Sequence, residues 1–245
     1  MNKVLSSEIS LKVYYSGNQT ILNANFTPEP DIVFVDNVKR NDCKKYCNIE
    51  SSENEIKLIF NGFIISCERM FLGLNNIKEI DLSQFDFSQV ITIKRMFQAC
   101  INLKSIKFGN INTSNVRNME RVFMDCWNLT SIDISKFDTS LVTSFAYMFC
   151  TCKEIISIDA SNFKATNAIQ INDMFSYCDK LLSVKLSSFN TSKVQNMQGV
   201  FYLSHNIKYI DFQIFSDISS NNINYIFLEC SNLLYLNLRS FISTN

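Results

Sequence analysis

From Met70 onward, apolar and polar positions along the chain return every 26 residues. The pair Met70-Phe71 recurs as Met96-Phe97, Val122-Phe123, Met148-Phe149, Met174-Phe175, Val200-Phe201 and Ile226-Phe227. Four positions after each start stand Leu74, Cys100, Cys126, Cys152, Cys178, Ser204 and Cys230. Three further on come Ile77, Leu103, Leu129, Ile155, Leu181, Ile207 and Leu233, and then Ile80, Ile106, Ile132, Ile158, Val184, Ile210 and Leu236. An aromatic column follows, Phe85, Phe137, Phe163, Phe189, Phe215 and Phe241, with Ile111 as its exception. A shared register over so many units marks a repeat array. One unit is too short to bury its own apolar face, so neighbours must stack.

Within a unit, Leu129 to Phe137 has the form L-x-x-I-x-I-x-x-F, which predicts a short strand with one inward face. The spacing matches the L-x-x-L-x-L-x-x-N core of a leucine-rich repeat, with phenylalanine in the asparagine column. Next comes "FDTS" at 137–140, a turn or cap sequence. Val142, Phe145, Met148 and Phe149 then fall at i, i+3, i+6 and i+7, which predicts a short helix. The expected fold class is therefore an α/β repeat solenoid, leucine-rich-repeat-like, of short parallel strands and short helices. At about 4.8 Å per stacked strand, six steps make a parallel sheet on the order of 30 Å long.

This array takes residues 70–245, six full repeats and a partial seventh. Residues 1–69 lack the period. "EISLKVYY", "TILNANF", "DIVFVD" and "NEIKLIF" predict strands, separated by "SGNQ", "TPEP" and "ESSEN" turns. They are expected to form a small β-rich N-terminal cap over the first coil. At the other end the T-S turn gives way to "SDISSNN" and the chain stops at "SFISTN", with no capping element. An open strand edge is expected there, and with it truncation of a longer protein, a pairing partner or end-to-end self-association.

Composition narrows the function classes. Lysine and arginine number 23, as do aspartate and glutamate, so no charge excess directs the chain to nucleic acid or an anionic membrane. Proline (2) and glycine (5) are too few for a linker or a disordered chain. No apolar run is long enough to insert in a bilayer, and "MNKVLSSEIS" lacks a signal-peptide core.

Of nine cysteines, five occupy one core column and read as small buried apolar residues, although neighbours one strand apart lie within disulfide reach. Cys43, Cys47, Cys67 and Cys150 are off that column, and Cys43 with Cys47 is the favoured covalent pair. Neither paired C-x-x-C motifs nor a histidine cluster suggests zinc. His205 is the only histidine and has no triad partners. No P-loop, dinucleotide fingerprint or nucleophile elbow occurs, so no catalytic, cofactor or metal residue is expected. Five N-x-S/T sequons, at Asn18, Asn25, Asn112, Asn128 and Asn190, carry glycans only on a eukaryotic secretory route.

The candidate ligand face is the outward side of the strands. One column runs Asp81, Lys107, Asp133, Asp159, Lys185, Asp211 and Asn237, with serine columns beside it. Tyr209 and Tyr235 replace serine near the C-terminal end, and aromatic residues favour interfaces. Asp133 and Asp159 on adjacent coils are expected to repel unless a cation or flanking lysines intervene.

The columns "MF..C..L..I.LS.FDTS.V..M", carried by Met96 to Met119, Val122 to Phe145 and Met174 to Met197, resemble BspA-type leucine-rich repeat proteins, in the branch first described from mycoplasma lipoproteins. The resemblance covers about residues 70–245. It implies a non-catalytic surface or secreted binding module, an adhesin with a protein or glycan ligand. A departure is the repeat 148–173, where Ala160, Ala165 and Ala168 replace larger residues or threonine and imply a looser or bent coil. The alternative is a cytosolic scaffold of the same fold, which the cysteine column and the missing signal sequence also fit.

Overall fold

The computed structural model describes residues 6–51, 53–212 and 222–237. Its strands are β1 (Ser6–Val13), β2 (Gly17–Thr20), β3 (Ile32–Val35), β4 (Val38–Arg40), β5 (Tyr46–Ile49), β6 (Asn54–Asn61), β7 (Ile77–Gln84), β8 (Ser105–Lys107), β9 (Ser157–Asp159), β10 (Ser183–Leu186), β11 (Tyr209–Phe212) and β12 (Tyr235–Asn237). Strand β1 alternates buried and open positions: Ser7, Ile9, Leu11 and Val13 point inward. It pairs antiparallel with β6 on one side and β7 on the other, so the N-terminal strands and the first coil share one sheet, ordered β4-β3-β6-β1-β7-β8. Of the four strand segments expected before Met70, the one at 20–26 is instead mostly turn, with only Thr20 in β2.

The coils stack in the 26-residue register. Asp81 pairs with Lys107 between β7 and β8, and Ser183 pairs with Ser157 and Tyr209 in the parallel sheet β12-β11-β10-β9. The expected single parallel sheet is thus divided. Coil 129–136 lies between β8 and β9, and its residues Ser131–Asp133 form no ladder with either neighbour. Beside the division, Gly109 has φ +61°, and a Cβ there would sit 2.7 Å from the Cβ of Ser83. Phe215 and Phe241 of the aromatic column, and the altered turn at 216–221, lie outside the described residues.

The short helices are the main correction: the described residues form a β-solenoid with no helix. The stretch expected to be helical, around Val142 to Phe149, is a ribbon of tight turns. The amide N–H groups of Met148, Cys150 and Cys152 donate to the carbonyls of Phe145, Tyr147 and Phe149, three residues back. Those of Phe145, Tyr147, Phe149 and Thr151 donate instead to Gln170, Asn172, Met174 and Ser176 on the next coil. Tyr147 and Thr151 have φ of 59° and 62°, and an α-helix cannot run through left-handed residues. Each non-glycine residue held there costs about 1–2 kcal/mol. The hydrogen bonds between coils offset that cost, because an isolated coil has no second chain to bond. Helical spacing misled because successive four-residue turns also place apolar residues three or four apart, and Val142, Phe145, Met148 and Phe149 are all buried.

The ribbon is polar along the stack. Past its first residues, where amides such as Thr143 N–H donate to the previous coil, the ribbon's cross-coil amides point to the next coil and its carbonyls to the previous one, as in Phe71 to Met96, Phe97 to Val122 and Phe123 to Met148. At the N-terminal end Asn23 covers the exposed carbonyl row: its backbone N–H donates to Met70 O and its side-chain Nδ2 to Leu72 O.

Core packing follows the columns. Phe71, Phe97, Phe123, Phe149, Phe175, Phe201 and Phe227 form a stack with centroids 5.2–5.7 Å apart and near-parallel rings. In the alanine-bearing repeat, Ala160, Ala165 and Ala168 are fully buried. Phe145 fills the room beside them, with its ring 5.6 Å from Phe163 and 5.4 Å from Phe189.

Candidate functional site

The strand face gathers the charged column predicted from the sequence, and much of that column is satisfied internally. Lys107 Nζ lies 3.0 Å from Asp81, Lys185 Nζ 3.3 Å from Asp159, and Asn237 Nδ2 donates to Asp211 at 2.8 Å. Asp133 has no lysine within ion-pair range among the described residues and turns back on its own coil, accepting from the Ser135 hydroxyl at 2.6 Å and its N–H at 3.0 Å. Those bonds hold the Asp133 carboxyl below the ordinary range, and the equivalent Ser161 bonds, with Lys185, do the same for Asp159. Partial burial pushes the Asp81 carboxyl up, but Ser83 and Lys107 together outweigh it and leave it lowered. Of the two expected means of easing the repulsion between Asp133 and Asp159, Lys185 stands at Asp159, and each carboxylate also accepts local hydrogen bonds.

A depression of about 340 Å³ opens where the N-terminal strands join the first coils, lined by Ser10, Lys12, Glu55, Glu79, Asp81 and Lys107 among others. Lys12 and Glu79 pair across it at 2.6 Å. A second hollow, about 300 Å³, lies at the division of the sheet beside Lys107, Gly109, Asp133 and Lys136.

Toward the C-terminal coils the same face changes character. Tyr209 and Tyr235 are register partners in β11 and β12 and are 52% and 49% exposed. In the column just before them, Ile156, Leu182 and Leu234 are also exposed, Leu234 to 73%. Sequence reasoning found the tyrosines and missed these aliphatic residues. The signal was present, since Ile156, Leu182, Lys208 and Leu234 recur at the repeat spacing one position ahead of the serines. Lys208 interrupts the aliphatic column, so the patch is apolar with one cation inside it.

Elsewhere, recurring polar residues hold coils together. Asn102, Asn128, Asn206 and Asn232 each donate Nδ2 to a carbonyl of the preceding coil. This bond ties Asn128 to Ile101, so that sequon belongs to the stacking machinery. His205 lends only its carbonyl to that ladder. The core cysteines also hydrogen-bond: Sγ of Cys100, Cys126, Cys152, Cys178 and Cys230 lies 2.9–3.2 Å from the carbonyl of Phe71, Phe97, Phe123, Phe149 and Phe201. Ser204 takes the same role at 2.6 Å to Phe175 O. Burial pushes these thiols up, Cys100 to about 12 and the half-buried Cys230 to about 11, so they stay protonated and unreactive. They are free thiols, whereas Cys43 and Cys47 are joined in a disulfide. Among the described residues no group of three or more His, Cys, Asp or Glu is placed to hold a metal ion, and no helix is long and apolar enough to cross a membrane.

A β-solenoid of stacked 26-residue coils defines a repeat protein. Residues 65–184 and 154–241 match the model of the family described as "Mycoplasma protein of unknown function, DUF285". That match spans most of the chain, which belongs to this family. No curated protein and no solved structure matches it.

Proposed function

We propose that the chain is a non-catalytic binding module of a surface-exposed, BspA-type adhesion protein, and that its strand face engages a partner protein. The observation that carries this reading is the patch of Ile156, Leu182, Tyr209, Leu234 and Tyr235, open to solvent on adjacent coils. Large side chains exposed side by side have no role in stacking the coils. Contiguous apolar surface rimmed by charge is the usual form of a protein contact, with aromatic residues as its anchors. The ion pair Lys185–Asp159, on coils of the same sheet, forms part of the polar surroundings.

The test has two arms in the organism that makes the protein. A photo-crosslinking residue at Tyr209 or Tyr235 should trap one distinct partner, whereas the same residue at Lys39 should not. Equal trapping from all three positions, or trapping of glycan alone, rejects a protein-binding face. A membrane-impermeant amine reagent applied to whole cells should label the protein. Protection until lysis rejects the surface location in favour of a cytosolic scaffold.

A further inference from the structure

The turn ribbon presents a second face, and on three successive coils one of its columns is arginine: Arg69, Arg95 and Arg121. We propose that these three residues form a linear site for tetrahedral oxyanions, the phosphate or sulfate ester groups of a polyanionic ligand. All three have left-handed backbone, with φ of 59°, 57° and 57°, so their Cα–Cβ bonds leave the coil in one direction. The register is tight. The phenylalanines two positions along, Phe71, Phe97 and Phe123, stack at 5.6 and 5.5 Å. Later in the column the residues are Tyr147, Asp173, Gly199 and Tyr225, so the arginines are a local choice and not a demand of the repeat.

Their surroundings leave positive charge unspent. Among the described residues each Nε is buried without a hydrogen-bond partner, so contact with a ligand falls to the terminal nitrogens. Glu68 and Glu120 approach Arg69 and Arg121 at 3.5 and 3.6 Å, near enough for attraction but not aligned for a hydrogen bond at Nε. Glu120 is also shared with Lys94, at 2.8 Å. Arg121 rests over the Tyr147 ring at 4.8 Å. Arg95, the middle rung, has no carboxylate within 4.0 Å among the described residues, and Lys94 stands beside it on the same coil. Asp173, two coils beyond Arg121 in the same column, is a further acid and acts on Tyr147. Three planar cations in line, the central one unpaired, repel one another, and an oxyanion between rungs accepts hydrogen bonds from two of them. Arginine suits this role because its planar fork matches tetrahedral oxyanions in a way an ammonium does not.

Binding of two probes, tripolyphosphate and sucrose octasulfate, to the full chain by isothermal titration calorimetry tests the proposal. Binding of tripolyphosphate identifies a phosphate source, and binding of the octasulfate identifies a sulfate source. In either case Arg95→Gln should weaken affinity by about tenfold or more, the scale of one charge-assisted hydrogen bond. Arg95→Lys should recover only part of it. Lys180→Gln, remote on the surface, should change affinity less than about twofold. Should Arg95→Gln lower the unfolding temperature, Arg69→Gln supplies an independent reading of the same ladder. No binding of either probe, or equal loss with Lys180→Gln, overturns the proposal. The Tyr209 patch is on another face, so its crosslinking result stands or falls separately.

Discussion

Replacing two buried cysteines by serine should have unequal consequences. Cys126 and Cys67 are both fully buried. Cys126 Sγ lies 3.2 Å from Phe97 O, whereas the Cys67 thiol has no hydrogen-bond partner among the described residues, and desolvation alone sets its raised pKa. Serine in an apolar site leaves a hydroxyl unpaired, which costs about 1–3 kcal/mol on mutational scales. At position 126 the hydroxyl finds the acceptor already in place, as Ser204 does naturally at 2.6 Å from Phe175 O. A hydrogen bond of that kind returns about 0.5–1.5 kcal/mol. Cys126→Ser should therefore be milder than Cys67→Ser by about 1–2 kcal/mol, and milder than Cys126→Ala, which loses donor and volume together. For a chain of this size that difference is roughly 2–8 °C in the unfolding temperature. Equilibrium urea unfolding, with the Cys43–Cys47 disulfide kept intact throughout, gives the comparison. Equal destabilisation by Cys126→Ser and Cys67→Ser, or a milder Cys126→Ala, would refute the view that the column is a donor ladder.

Other expectations are shorter. Phe137→Ala, which removes a buried ring packed 4.9 Å from Phe108, should cost about 3–5 kcal/mol by chemical denaturation; a loss below about 1 kcal/mol would mean the site collapses freely. Gly109→Ala should destabilise more than Gly73→Ala: both have positive φ, but only at Gly109 does a Cβ meet the neighbouring coil, and calorimetry ranks the two. The buried thiols titrate higher when folded than when unfolded, so their contribution is intact below about pH 8.5 and declines as pH rises toward the folded values of about 11 for Cys230 and 12 for Cys100. The slope is about 1.4 kcal/mol per pH unit per thiol, and stability unchanged between pH 9 and 11 would contradict it. Deleting residues 122–147 joins Arg121 to Met148 in register, and circular dichroism should report a folded, shorter coil stack; a globally unfolded product speaks against nearest-neighbour stacking.

The sequence by itself determined the period, the register and the inside of the protein. Phe, Cys and aliphatic residues recur because stacked coils must place equivalent side chains over one another, and such a constraint is written directly in spacing. It also located the charged strand column and the two tyrosines. The course of the chain between strands was decided only in three dimensions. Val142, Phe145, Met148 and Phe149 fit a helix as well as a ribbon of turns, since both bury residues three and four apart. What separates them is where amide N–H groups find acceptors, four residues back or one coil away, and the coil one step away is 26 residues distant. The pairing of Lys107 with Asp81, the retreat of Asp133 into its own turn, and the alignment of Arg69, Arg95 and Arg121 depend on the same cross-coil geometry. Local sequence sets which residues are buried. Backbone hydrogen bonding across the stack, a property no single coil has, sets the conformation that buries them.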